Sequence, residues 1–524
     1  MDNPSSNDTA LPVERSGGLV LVVAVFLLAI CGLVYELIAG TLSSYLLGDS
    51  VTQFSVVIGL FLAAMGGGSF LSKFVKGNLL ACLAGVELAV GMIGGLMALA
   101  GFVAFTYSNL YVPVLLGTVC LVGVLVGLEI PLLVRILQDV LSLRITLAHV
   151  LSADYLGALV ASLVFPFLLI PHVGVVQAGF VMGLMNVLVA GIVVWRFRSH
   201  LGRFRRALMV ATIGGALILG AGAVGSGRLV SFMENRLYQD EIIYAADTPY
   251  QRVVLTRWRN DLRLFLDGHL QFSSVDEYRY HETLVHPAMA TAGRHFKVLI
   301  LGGGDGLAAR QVLKYDGVER IDVVDIDPVV TELFSGRDML IRLNEDSLNH
   351  AKVHVHNADA MRFLEETDSF YDVILMDLPD PGADGLGKLY SRAFFRLLRR
   401  RLAATGAVAT QATSPFRSRE AFWCIAHTME AATEGGVDDP SLAVHPYHTF
   451  VPTFGTWGFV LMGPADLDLA EIKLTVPTRY LTEEMLPGLF VFPPDIAEVD
   501  TPVSHLNDPV VCRLYRQGYH QYLE

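Results

Sequence analysis

The sequence predicts a multi-span α-helical membrane domain followed by a soluble α/β domain, and three observations predict it. The 524 residues are 53% hydrophobic, with a mean hydropathy of +0.50, too apolar for a wholly soluble chain. Charge is divided unevenly. Residues 1–227 hold 10 Lys+Arg and 9 Asp+Glu against 28 and 42 in 228–524, so the parts carry +1 and −14 and sum to −13. Finally, Lys297 to Pro328 reads as strand, glycine turn, helix and a second strand ending in an acid. That order opens a Rossmann-like, nucleoside-binding doubly wound sheet.

Residues 1–18 are polar and read as a disordered tail. Apolar runs then cover 19–39, 51–71, 79–105, 111–133, 150–170, 173–194 and 207–224, each about the 20 residues that cross hydrocarbon. They predict about seven spans within a helical domain of 19–227. The first run lacks a convincing cleavage site, so it reads as a span and not a signal peptide. Gly66, Gly67 and Gly68, then Gly91, Gly94 and Gly95, then Gly214 and Gly215, predict close helix contacts. Glu36, Glu87, Glu129 and Asp154 fall in or at the ends of spans. Such acids line a cation or polyamine path or bind neighbouring helices. The five cysteines form no CxxC pair, which predicts neither a disulfide framework nor a zinc site.

After Gly227 the pattern changes. Short strands at 242–246, 251–257, 262–267 and 270–272, with turn signals Asn260-Asp261 and Asp267-Gly268, predict a small antiparallel β layer over 228–290. A helix opens at Asp276 and runs through Met289. The Rossmann-like domain fills 291–524. Its first strand runs into Gly302, Gly303, Gly304, Asp305 and Gly306, whose backbone can turn sharply and lie against a ligand. An acid within that loop disfavours a pyrophosphate, which wants bare N–H groups, and suits a cation such as a sulfonium or ammonium. Later strands end at Asp325, Asp359 and Asp377, with Asp380 three residues on. The carboxyl ends of parallel strands share one edge, so these acids are predicted to converge with Asp305.

Asp325 suits ribose hydroxyls and Asp359 an adenine amino group. Asp377 and Asp380, stiffened by Pro379 and Pro381, suit an amine. A primary amine with a pKa of about 10 is protonated at neutral pH and must lose a proton before it attacks. A carboxylate can accept that proton while the amine displaces a carbon from a sulfonium. The same acids would repel the carboxylate of S-adenosylmethionine and favour its decarboxylated form. Net negative charge argues against nucleic acid.

Tyr250-Gln251, Leu266-Asp267-Gly268 with Leu270-Gln271, Asp276-Glu277, Tyr280-His281-Glu282, the glycine loop, Asp325-Ile326-Asp327 and Asp377 with Asp380-Pro381 together resemble the spermidine synthase (polyamine aminopropyltransferase) family. The resemblance covers about 240–463, and the apolar half resembles the family's multi-pass bacterial branch. It implies Asp377 as proton acceptor, and Tyr250, Tyr280 and Asp380 on the amine side. It implies Gln251, Gln271, His281, Asp305, Asp325 and Asp359 on the nucleoside side, with Gly302, Gly303, Gly304 and Gly306 under the nucleoside. It further implies aminopropyl transfer from decarboxylated S-adenosylmethionine to putrescine or a related polyamine, no metal or other cofactor, and a homodimer. Leu307 departs from the family's further glycine and predicts crowding at the helix start. The family's late aromatic has no clear match near Val451-Pro452, where Tyr447 or Phe454 is the candidate replacement. A methyltransferase on the same sheet, and a membrane polyamine sensor or transporter, are the other readings.

The expected location is the cell membrane. Basic residues cluster after the second, fourth and sixth runs, at Lys73 and Lys76, Arg135 and Arg144, and Arg196 to Arg206. The positive-inside rule then puts the N-terminus in the cytoplasm, and seven crossings would put the soluble domain outside. A substrate made in the cytoplasm argues for the cytoplasmic side.

Overall fold

A computed structural model describes residues 15–47, 50–107, 110–138, 142–237, 240–433, 442–467 and 472–523. The chain divides into two compact units, Met1–Asp240 and Glu241–Glu524. Of the expected disordered tail, residues 1–14 lie outside the described residues, and the first helix already begins at Arg15.

The first unit is helical: α1 (Arg15–Leu47), α2 (Ser50–Leu71), α3 (Leu79–Tyr107), α4 (Tyr111–Leu137), α5 (Leu143–Val164), α6 (Ile170–Arg196) and α7 (Arg205–Leu237). The apolar stretch Leu143–Arg196 is continuous by composition, and counting it once gives six candidate spans. Gly174, at φ 72° and ψ 170°, breaks the helical path within it, and a π-helical turn at Phe165–Leu169 precedes that break. The seven expected runs therefore fall on seven helices. The last, α7, continues to Leu237, so the expected start of the β layer at 228 is corrected to β1 at Glu241.

Only some of the glycines are contact points. A Cβ on Gly68 would lie 2.0 Å from the Val124 carbonyl oxygen, and one on Gly127 2.1 Å from that of Met65, so α2 and α4 touch backbone to backbone. Gly66, Gly67 and Gly214 face open space, against expectation. The outer surface is apolar, with Leu62, Phe70, Leu159, Leu217 and Val224 exposed, whereas Glu87, Glu129 and Asn186 are buried.

The second unit begins with an antiparallel sheet, β1 (Glu241–Asp247), β2 (Arg252–Trp258), β3 (Asp261–Leu266) and β4 (His269–Ser273). There follow α8 (Glu277–Thr291), β5 (Lys297–Gly302), α9 (Leu307–Val312), β6 (Arg320–Asp325), α10 (Pro328–Gly336), α11 (Asp338–Leu343), β7 (Val353–Asn357), α12 (Ala360–Glu366) and β8 (Tyr371–Asp377). The one-turn α13 (Asp384–Gly387), α14 (Arg392–Arg401), β9 (Leu402–Gln411), α15 (Arg419–Thr433), β10 (Leu442–Val451), β11 (Gly455–Pro464), the one-turn α16 (Leu486–Leu489) and α17 (Val510–Leu523) complete it.

The seven-stranded sheet has the order β10-β11-β9-β8-β5-β6-β7, parallel from β9 to β7 and antiparallel at β10 and β11. The strand order reverses at β5, which lies between β6 and β8, and this is where such sheets bind ligands. Register pairs Gly302 with Asp377 and Asp325 with Asn357, which brings the polar strand ends to one edge. The predicted crowding at Leu307 does not arise. Its side chain turns into the apolar seam between the small sheet and α10, with Val253, Leu255, Phe272 and Phe334, where a methyl-free glycine would leave a void.

Candidate active site

Three glycines of the loop after β5 have positive φ: 78° at Gly302, 64° at Gly303 and 77° at Gly306. The loop threads between two acids. A Cβ on Gly302 would lie 2.0 Å from the Asp377 carbonyl oxygen, and one on Gly304 2.5 Å from Asp325 Oδ2. Gly304 N donates to Asp325 Oδ2 (3.0 Å) and Asp327 N to Asp325 Oδ1 (2.9 Å), which fixes that carboxylate at the tip of β6.

Asp377, at the tip of β8, is held from α8. The Tyr280 hydroxyl donates to Asp377 Oδ1 (2.7 Å), and His281 Nε2 lies 3.7 Å from Asp377 Oδ2. His281 is fixed at its other nitrogen, which is 2.9 Å from Glu277 Oε2. Glu277 accepts from Arg310 Nη2 at 2.8 and 2.9 Å, and Arg310 Nη1 also donates to the Leu343 carbonyl (2.6 Å). A chain of buried charges therefore runs from Arg310 through Glu277 and His281 to Asp377. Burial disfavours the imidazolium, but Asp377 and Glu277 outweigh it and raise His281 to about 10.

A His281 nitrogen and oxygens of Asp305 and Asp377 lie within 4.8 Å of one another. A protonated imidazole has no lone pair for a metal, so these three suit a cationic organic ligand better. Burial raises Asp305 to about 7, against the pull of His281, and raises Asp325 to about 6. Asp305 also caps its own loop, accepting from Leu307 N (2.9 Å).

Asp380 belongs to the same rim. Its Oδ2 accepts from Tyr515 in α17 (3.1 Å) and from Thr413 Oγ1 (3.3 Å), its Oδ1 is buried with no hydrogen-bond partner among the described residues, and burial raises it to about 6. Thr413 sits at φ 60°, an uncommon conformation for a β-branched residue, which stores strain beside the acid.

The other predicted residues stand differently. Asp359 lies at its predicted strand end, but its carboxylate caps α12 through Met361 N and Arg362 N and is paired with Lys388. It is thus an occupied acceptor and not an open one. Gln251 donates to Asp327 Oδ2 (3.1 Å), beneath the Asp325 turn. Gln271 donates to the His269 carbonyl (3.1 Å), and Tyr250 is 52% exposed on the β1–β2 turn. Neither joins the carboxylate cluster.

Over residues 277–469 the chain matches the spermine/spermidine synthase domain family. It is 45% identical to polyamine aminopropyltransferase 1 of Ralstonia nicotianae over 97% of this chain and 97% of that one. The chain belongs to the polyamine aminopropyltransferase family. It is also 43% identical to the polyamine aminopropyltransferase of Leptospira interrogans, over 96% of this chain and 99% of that protein. A crystal structure of a spermidine synthase in complex with the transition-state analogue AdoDATO is 25% identical, with a TM-score of 0.44, over 48% of this chain and 86% of that one. Both curated aminopropyltransferases align through the helical unit as well as the sheet, so the two units recur together.

In this aminopropyltransferase the two candidate late aromatics sit differently. Tyr447 is fully buried, stacks on Phe459 and donates to the Thr283 carbonyl (3.0 Å), so it is core. Phe454 meets the Tyr280 ring edge-on at 6.3 Å and flanks Trp457 at 4.9 Å, so it walls the Tyr280 side. Asp276 pins that wall by accepting from Thr453 N (2.7 Å) and from the Thr453 hydroxyl. A hydrogen bond to a charged group contributes about 1.5–3 kcal/mol, so Asp276→Ala is expected to raise the amine KM about tenfold with kcat nearly kept, as steady-state kinetics would report. Sequence reasoning quoted Asp276, Glu277 and Asp327 without giving them roles, and it missed Arg310, Lys388 and Tyr515.

Proposed function

We propose that Asp377 accepts the proton of an amine that attacks the aminopropyl carbon of decarboxylated S-adenosylmethionine. The chain transfers an aminopropyl group to a polyamine. Nitrogen–carbon bond formation breaks the carbon–sulfur bond, the sulfonium takes up that electron pair, and 5′-methylthioadenosine leaves neutral. The observation that carries this is the grouping of Asp305, Asp377 and His281 within 4.8 Å beside the Tyr280 hydroxyl. Tyr280 and His281 fix the orientation of Asp377, so its free lone pairs can meet the incoming amine; positioning of this kind is the main need when the leaving group is already a cation. Asp305 faces the cationic end of the sulfonium substrate, and Asp325 takes the ribose. At Asp359 the Lys388 ammonium stands where an adenine amino group would donate, and it moves aside when the nucleoside enters. Asp380, Phe454 and Tyr280 border the amine. Putrescine, with spermidine as product, is the proposed acceptor, in keeping with the spermine/spermidine synthase domain that the chain matches.

The same proposal places the helical unit in a lipid bilayer. Among the described residues six stretches are long and apolar enough to cross one, the fifth holding both α5 and α6, and the unit is apolar outside with acids inside. The catalytic unit works on the cytoplasmic side, where its substrates are made, and the enzyme is a dimer.

The test is incubation of purified protein with labelled decarboxylated S-adenosylmethionine and a panel of amines. One 5′-methylthioadenosine per spermidine is expected, and labelled methyl transfer from S-adenosylmethionine would overturn the reading. In the free enzyme Asp305 sits at about 7 and Asp325 and Asp380 at about 6, each raised by burial. Below these values the rim is neutral and attracts no cation. So kcat/KM is expected to climb from pH 5 to about 7.5, with apparent values that belong to the coupled group. All three lie above the unfolded value of about 3.9, so their contribution to stability is present in acid and fades as pH rises through 6–7.

A further inference from the structure

The helical unit carries a polar cluster of its own. Glu87 on α3, Asn186 on α6 and Tyr35 on α1 are each no more than 1% exposed, and Glu129 on α4 is 6% exposed. Asn186 Nδ2 donates to Glu87 Oε2 (3.1 Å). A bond between helices explains that contact, but it leaves Glu87 Oε1, Asn186 Oδ1 and the Tyr35 hydroxyl buried without partners among the described residues.

The helix faces are cut to bring these groups together. Gly91 and Gly94 follow Glu87 by four and seven residues, on the same face of α3. A Cβ on Gly94 would lie 2.7 Å from the Tyr35 ring, and one on Gly91 would lie 3.0 Å from the Asn186 Cβ. Both glycines let α1 and α6 close over Glu87.

We infer that this cluster is a second binding site, which takes the ammonium head of an alkylamine. The three unpartnered oxygens are a carboxylate oxygen, an amide oxygen and a phenol oxygen, each able to accept. An ammonium donates through its N–H groups and accepts nothing, so it suits acceptors left open along this seam. Glu87 supplies the opposing charge once a cation is bound. A divalent metal would need about six oxygen ligands, more than the cluster offers. The inference stands on the helical unit alone and does not depend on the transfer reaction. A polyamine and a bare ammonium ion present the same head, so both are tested.

The experiment is equilibrium dialysis of the full chain in lipid nanodiscs against labelled spermidine, putrescine and methylammonium. Wild type is expected to take up two spermidines per chain. Glu87→Gln should weaken one of them about tenfold or more while aminopropyl transfer stays within about twofold. Tyr35→Phe removes only the hydroxyl, keeps the ring on Gly94, and should weaken the same site by about three- to tenfold even if Glu87→Gln fails to fold. The Glu87-dependent site should persist in Asp377→Asn, which separates it from the acceptor site of the sheet. Spermidine bound with methylammonium excluded identifies a polyamine site, and both bound identifies an ammonium site; either supports the inference. One spermidine per chain in wild type, unchanged binding in both helical variants, or uptake of sodium ions without any amine would overturn it.

Discussion

Asp377→Asn is expected to lower kcat by about 10²–10⁴-fold, the range that a positioned general base supplies. The change is isosteric and keeps the Gly302 contact to the Asp377 backbone, so the glycine loop should hold its shape. What changes is the side chain between Tyr280 and His281. The carboxylate offers one oxygen to the Tyr280 hydroxyl and the other towards His281. An amide must turn its NH₂ to one of these two donors, and it cannot take a proton. Binding of decarboxylated S-adenosylmethionine should change little, because Asp325 and the loop remain. Rapid-quench turnover together with equilibrium binding separates the two effects. Loss of binding in parallel with turnover would show that Asp377 serves the nucleoside instead.

Arg310→Met is expected to loosen the catalytic helix α8 more than any surface change could. Arg310 and Glu277 are 9% and 4% exposed, and removing one partner strands a buried charge, at about 3–5 kcal/mol. The stranded Glu277 also contacts His281, so the disturbance reaches Asp377. Hydrogen exchange of the α8 amides in the native protein should accelerate about 10²–10³-fold, with β7 and α12 much less affected. The double change Arg310→Met with Glu277→Leu should recover part of the loss, because two apolar groups of similar volume leave no unpaired charge.

The parts of this site that follow from strand periodicity were legible in the sequence. Apolar runs ending in acids placed Asp305, Asp325, Asp377 and Asp380 on one edge, and the register of β5 with β6 and β8 brings them there. Asp359 was placed at the right strand end, but its partner was not legible. Lys388 lies beyond β8, in a turn without any pattern that points back to α12. Tyr515 was hidden for a similar reason, since it reaches Asp380 from the last helix. Arg310 was not singled out because its burial depends on α8 packing against α9 and on the distant partners Glu277 and Leu343. In the helical unit, length and composition gave the helices. They put a break at 171–172, and the backbone angle places it at Gly174; they did not give which glycines make contact: Gly68 does and its neighbours Gly66 and Gly67 do not.

The account rests on an acidic rim that holds a cationic nucleoside and rejects an anionic one. The direct measurement is calorimetric affinity for decarboxylated S-adenosylmethionine and for S-adenosylmethionine at pH 7.5, in wild type and in Asp305→Asn. Repulsion between nearby charges is worth enough to give wild type a preference of about 10²-fold or more for the decarboxylated form, and Asp305→Asn should cut it to under about tenfold. Equal affinity of wild type for the two nucleosides, or a preference that Asp305→Asn leaves intact, would contradict it.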